Sequence, residues 1–217
     1  MSAQTAAPPL GLRERKKQQT RQHISDIATG LFLERGFESV TIAEIAAAAD
    51  VAKMTVTNYF PRKEDLVLDR SAEFAGWPAR TVREREPGES ALAALRRAYL
   101  ASVAEQDRLN GFAPPEFARL MISSPALVAR VREFHDERER VLAAELAAET
   151  GIAETDFAPR IAATLLTGVH RILFDETLRR NLAGEPHSAI AAVMTGYVAE
   201  SFDALEPSLG DYAVRPR

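Results

Sequence analysis

The run from Gly36 to Leu66 constrains this chain most, because it carries helix punctuation at short, fixed spacing. Thr41 can accept a hydrogen bond from the backbone at Glu44, and Glu44 can reach back to the Thr41 amide. Val40 and Ile45 occupy the two positions of a hydrophobic staple. A helix therefore starts at Thr41. It is expected to stop near Ala49, where Asp50-Val51 can turn the chain, and a second helix should run from about Ala52 to Phe60. Two short helices around a tight turn make a helix-turn-helix.

At 100° per residue, Ala52, Val56, Tyr59 and Phe60 fall on one side of that second helix. Met54, Thr57 and Asn58 fall on the other, with Lys53 and Thr55 at the flanks. The polar side has the size and chemistry to enter a DNA major groove. A preceding helix is expected from about Glu14 to Arg35, ending at Gly36, with Ile24, Ile27, Ala28, Leu31 and Phe32 as its apolar stripe.

Taken together, Gly-Phe-x-x-Val-Thr-Ile-x-x-Ile-Ala from Gly36, Val-x-Lys-x-Thr-Val-x-Asn-Tyr-Phe from Val51 and Pro-x-Lys-Glu-x-Leu from Pro61 resemble the N-terminal domain of TetR-family transcriptional regulators. The likeness is strong over residues 15 to 70 and weak beyond. It implies phosphate contacts at Thr41, Tyr59 and Lys63, and base-facing positions at Lys53, Thr55, Thr57 and Asn58. The sequence departs from the family pattern at Asp50, where a turn glycine is common, and at Ala52, where a serine would cap the helix. Met54, Thr57 and Ala43 depart as well. These changes keep the apolar frame and alter the surface that reads sequence.

The formal net charge of −4 is misleading until divided. Residues 1 to 70 carry ten Lys/Arg against nine Asp/Glu, or +1, and the rest carries 17 against 22, or −5. All four lysines lie in the first part. Its cations cluster at 13 to 21, including Arg13, Lys16 and Lys17, and again at Lys53 and Lys63. A cluster of this kind ahead of a helix-turn-helix predicts salt-sensitive DNA binding.

The chain has no cysteine, which excludes disulfides, thiolate metal sites and a cysteine nucleophile. No stretch resembles a signal peptide or a membrane span, so a cytoplasmic protein is expected. His23, His135, His170 and His187 show no metal-ligand spacing, and no HExxH, phosphate loop or G-x-S-x-G elbow occurs. Neither enzyme nor cofactor or metal is expected.

A fourth helix is expected from Arg62 to Ala75, interrupted by Gly76-Trp77-Pro78. Five more helical patterns follow, at about 89 to 106, 114 to 123, 125 to 150, 156 to 182 and 186 to 205, without strand-like alternation. The reading is an all-α protein of about nine helices, a three-helix DNA-binding domain followed by a helical bundle. The expected divisions are a flexible tail at 1–12, the helix-turn-helix domain at 13–62, a ligand-binding and dimerisation domain at 63–205, and a second flexible tail at 206–217.

Two apolar stripes stand out on the last helices: Ile161, Leu165, Gly168, Val169 and Ile172 on one, and Ile190, Val193, Met194, Tyr197, Val198 and Phe202 on the other. They could face a second copy or their own core. The family resemblance favours pairing into a four-helix homodimer interface, which would space two recognition helices on a pseudo-palindrome. It also implies a small-molecule effector in the bundle, with coupling of about 1–3 kcal/mol to DNA binding. Candidate lining residues are Phe74, Trp77, Tyr99, Phe112, Phe117, Met121, Phe134, His170 and Phe174, although core packing is the alternative role for each. The charged run Arg132 to Arg140 reads as a solvated helix face laced with ion pairs.

The expected function is a sequence-specific repressor released from its operator by a largely apolar effector. The competing reading is a helical ligand-binding or protein-interaction module that does not read DNA.

Overall fold

The computed structural model describes residues 11–217, which form two compact units, one closing at Asp69 and the other running from Arg70 to Arg217. Every regular element among them is helical. The expected tail at 1–12 lies almost wholly outside the described residues, and its last residue, Leu12, already opens the first helix.

The first unit holds α1 (Leu12–Arg35), α2 (Ile42–Ala48), α3 (Lys53–Tyr59) and a 3-10 turn (Lys63–Leu66). Its core is Ile24, Ala28 and Phe32 from α1 packed with Phe37, Val40, Ile45, Val56, Phe60 and Leu66. Each large apolar side chain buried here contributes about 1.5–3 kcal/mol. The capping box at Thr41 is fully formed: Thr41 Oγ1 accepts from the Glu44 amide at 3.3 Å, and Glu44 Oε2 accepts from the Thr41 amide at 2.8 Å. Asp50, in the turn position, has φ +52°, and a short aspartate side chain tolerates that left-handed conformation better than most residues.

The expected helix from Arg62 to Ala75 is instead two elements, because α1 claims the carbonyls between them. Ser25 Oγ donates to the Leu66 carbonyl at 2.8 Å, and Arg21 Nη2 donates to the Asp69 carbonyl at 3.3 Å. The 3-10 turn thus belongs to the first unit, and the unit extends seven residues past the expected boundary at 62.

The second unit comprises α4 (Ser71–Arg83), α5 (Ala91–Ala104), a 3-10 turn (Arg108–Asn110), α6 (Pro115–Ser123), α7 (Pro125–Thr150), α8 (Phe157–Leu182) and α9 (His187–Leu209). Leu92, Leu95, Tyr99, Leu142, Leu146, Leu166, Met194, Val198 and Phe202 form its core. α7 and α8, 26 residues each, span about 39 Å at 1.5 Å per residue.

α4 runs through Gly76-Trp77-Pro78 rather than breaking there. A proline inside a helix has no N–H for the carbonyl four residues back, here that of Phe74. Arg138 of α7 fills the gap, donating from Nε to the Phe74 oxygen at 2.9 Å. The expected flexible tail at 206–217 is also replaced by ordered contacts. α9 continues through Pro207 to Leu209, and buried Arg85 holds the Ala213 carbonyl at 2.8 Å and the Glu149 carboxylate at 2.6 Å. Gly88 and Arg215 are bonded through their backbones at 2.9 Å.

Candidate nucleic-acid interface and buried polar cluster

α3 is anchored by one side and open on the other. Val56 and Phe60 are buried, Thr55 and Tyr59 are half-buried, and Lys53, Met54, Thr57 and Asn58 are exposed, Met54 by 68%. Its C-terminal end is fixed by Arg21, whose Nη1 donates to the Tyr59 carbonyl at 2.6 Å while the guanidinium lies 4.2 Å from the centre of the Phe60 ring. Arg21 is therefore a brace. Arg13, Lys16 and Lys17 are exposed on the opening turns of α1, where their i, i+3 and i+4 spacing puts them on one side.

Two expected phosphate ligands have structural employment. The Thr41 hydroxyl is engaged with Glu44, whose carboxyl is pushed down to about 2 by Arg35 foremost and then by Thr41. Lys63 turns inward: its Nζ donates to the Phe37 carbonyl at 2.5 Å and lies 4.4 Å from the Phe37 ring centre. The sequence pattern gave it as a cation opening a helix, but the 3-10 turn places it against the core instead.

In the second unit, five of the nine candidate pocket residues come together: Phe74 and Trp77 of α4, Tyr99 of α5, and His170 and Phe174 of α8. The Tyr99 and His170 rings are 5.0 Å apart, those of Trp77 and Tyr99 4.9 Å, and those of Phe74 and Phe174 5.8 Å. Phe112 packs instead against His187 at 5.7 Å, and Phe134 lies under the Arg130 guanidinium at 4.3 Å. Phe117 and Met121 sit on α6, with no ring contact to the cluster among the described residues.

The centre of the cluster is a residue that sequence reading missed. Arg138 is fully buried, with its guanidinium 3.9 Å from the centre of the Phe74 ring and Nη1 2.6 Å from His170 Nε2. Because a guanidinium only donates, that imidazole nitrogen accepts and His170 is neutral. Burial drives the His170 pKa down to about 3. Burial, and secondarily Arg138, does the same for His135, whose ring is 5.9 Å from that of His170. Asn110 Oδ1 lies 3.1 Å from the same nitrogen, an approach of two acceptors rather than a hydrogen bond once Nε2 accepts from Arg138. It is held there by a turn at Gly111 (φ +88°), where a Cβ would come within 3.0 Å of the Phe174 carbonyl oxygen.

His135 and Arg138 lie inside the charged run that reads as a solvated face. That reading holds for its outer members: Arg140 pairs with Glu137 at 2.5 Å, and Arg130, just ahead of the run, pairs with Glu133 at the same distance. The signal for the inner pair was phase, since Leu127, His135, Arg138, Leu142 and Leu146 follow the buried stripe of α7.

Both units match known families. Residues 24–69 match the family model described as bacterial regulatory proteins, tetR family, and residues 89–209 match the MftR C-terminal domain. The chain is 30% identical over 172 residues to the HTH-type transcriptional regulator TcmR of Streptomyces glaucescens, covering 76% of each sequence. The chain belongs to the TetR family of transcriptional regulators.

Solved TetR-family structures share its fold at low identity. The SmeT–triclosan complex aligns with a TM-score of 0.56 at 18% identity, over 92% of this chain and 96% of that one. NalD, the secondary repressor of the MexAB-OprM multidrug efflux pump in Pseudomonas aeruginosa, aligns at 0.52 and 18%, over 86% and 97%. As a TetR-family regulator the chain is a DNA-binding protein.

Proposed function

We propose that this regulator represses transcription in the cytoplasm as a homodimer on a palindromic operator, and leaves it when a small, largely apolar molecule binds in the second unit. The observation that carries the DNA half is α3 itself, a helix packed through Val56 and Phe60 that presents Lys53, Met54, Thr57 and Asn58 to solvent. Lys53, Met54, Thr55, Thr57 and Asn58 are the proposed base-reading side chains, and Arg13, Lys16, Lys17 and Tyr59 the phosphate contacts, since Thr41 and Lys63 are engaged within the unit.

The two-fold partner is proposed to cover α8. Phe157, Ile161 and Ile172 are 71%, 55% and 69% exposed there, an apolar array that water does not favour. On α9, Ile190, Met194, Val198 and Phe202 are buried in the core of their own subunit, and Tyr197 remains exposed. The interface is therefore proposed to draw mainly on α8, with Tyr197 of α9. The effector is proposed to enter the cluster of Phe74, Trp77, Tyr99, His170 and Phe174, whose rings belong to three different helices.

Selection of bound sequences from a random DNA pool tests the reading, with Tyr59→Ala and Asn58→Ala run in parallel. Wild type is expected to enrich a two-fold palindrome. Tyr59→Ala should weaken binding to all sequences, and Asn58→Ala should change which base is preferred at its position. Failure of the wild type to enrich any sequence at moderate salt would favour a module that does not read DNA.

A further inference from the structure

The second unit contains two fully buried arginines, and they are treated differently. Arg85 is satisfied at all three nitrogens: Nε by the Glu89 carbonyl at 3.2 Å, Nη1 by the Val82 carbonyl and the Glu149 carboxylate, and Nη2 by the Ala213 carbonyl. Arg138 donates from Nε to the Phe74 carbonyl and from Nη1 to His170. Its Nη2 has no partner among the described residues, and none of its contacts is a carboxylate. Burial without a counter-charge pushes its pKa well below the usual arginine value. An uncompensated buried cation is costly, and a protein that keeps one needs an anion to offset it.

The surroundings specify what kind of anion. The Arg138 guanidinium lies 3.9 Å from the centre of the Phe74 ring and 5.9 Å from that of Trp77, and the rings of Tyr99, His135, His170 and Phe174 pack onto these, so the remainder of a bound molecule meets aromatic surface. In the same ring cluster, Tyr99 Oη and both ring nitrogens of His135 are buried without partners among the described residues. Neutral imidazole and phenol can donate to an oxyanion without repelling it. A fully hydrated inorganic ion would have to give up its water to enter such a shell.

We propose that the effector of this regulator is an organic acid, an apolar body bearing one carboxylate, whose oxyanion is received by Nη2 of Arg138. The proposal rests on the effector reading given above and narrows it from a largely apolar molecule to an acidic one. Guanidinium and carboxylate make a charge-assisted pair, which in a dry site outweighs a neutral hydrogen bond. Engagement of Nη2 also bears on α4, since the same guanidinium holds the Phe74 carbonyl left open by Pro78. A carboxylate that draws Arg138 toward itself loosens that bond in the first helix after the DNA-binding unit.

Aromatic and alkyl acids share this chemistry, and the probes separate them. 3-Phenylpropanoate and decanoate, each beside its primary amide, are titrated into the full-length protein by calorimetry, with Trp77 fluorescence as a second readout because it is the only tryptophan. Its ring lies 5.9 Å from the Arg138 guanidinium. At least one acid is expected to bind tenfold or more tightly than its amide. In Arg138→Met that preference should fall to within twofold, with Arg85 and the rest of the core untouched. The Arg138→Met protein must show a cooperative melt; Arg138→Gln, titrated with the same pairs, replaces it should it fail to fold.

An acid and its amide binding wild type equally overturns the proposal while leaving the effector reading intact. An acid preference that survives both substitutions overturns it as well. No binding by any of the four compounds overturns it too. If, in addition, no neutral apolar compound then releases the protein from selected DNA, the effector reading itself falls.

Discussion

The two units solve the problem of buried polar groups in opposite ways. In the first, the polar groups that enter the core are spent on structure: Ser25 closes on Leu66, Arg21 on Tyr59 and Asp69, and Lys63 on Phe37. In the second, Tyr99, His135, Arg138 and Asn181 carry buried polar atoms without partners among the described residues. Polar burial without partners costs stability, so its concentration in one unit marks where the fold has given up stability for another purpose. A DNA-reading surface needs a stiff support for α3, whereas a ligand-responsive bundle needs groups that a ligand can satisfy.

The sharpest break of this comparison is Phe32→Ala. It should cost the first unit about 3–5 kcal/mol, enough to abolish DNA binding, while hydrogen exchange in α7 and α8 stays at wild-type protection. Equal loss of protection in both units would show that they do not fold independently.

Arg138→Met should act on the second unit alone, with a net change of no more than about 2–3 kcal/mol in urea unfolding: removing the desolvated charge returns about 1–4 kcal/mol, and the Phe74 carbonyl and His170 Nε2 left without a donor cost about 1–3 kcal/mol each. A loss above about 4 kcal/mol would mean that Arg138 is structural, as Arg85 is.

Protonation probes the same cluster. His135 and His170 have folded pKa values near 3, below the unfolded value near 6.5, so the unfolded chain binds more protons between those limits. Stability is therefore full above about pH 6.5 and is lost as pH falls, at up to about 1.4 kcal/mol per pH unit for each histidine. Replacing both with Phe should flatten the profile between pH 6.5 and 4.5. The first unit, whose Glu44 carboxyl is held down to about 2, keeps its capping box through that window.

The smallest effect is expected at Thr41→Ala, about 0.5–2 kcal/mol from the lost capping box in the first unit alone. A circular-dichroism melt of the full chain, followed by DNA titration, would show a lowered first transition.

How much was legible varied with the range of the interactions. The Thr41 cap, the α2-turn-α3 unit and the 26 residues of α7 follow from residues within one turn of each other, and the sequence marks them directly. The helical continuity of α4 was not legible, because whether Pro78 ends a helix depends on a donor to the Phe74 carbonyl 64 residues further along, in Arg138. The separate 3-10 turn at Lys63–Leu66 was missed for the same kind of reason, with Ser25 as the distant partner. The terminal segment looked free because Pro207, Gly210 and Pro216 say nothing of Arg85, which holds it.

The sequence alone therefore determined the all-helical class, the helix-turn-helix and the outward face of α3, since periodicity and caps are local. Only the tertiary structure decided which charges of the 132–140 run are solvated and which are sealed. Charge and hydropathy describe a side chain, but its dielectric surroundings are set by the helices packed against it. Arg138 and Arg140 are two residues apart, yet one ends against the rings of α4 and the other pairs with Glu137 at the surface.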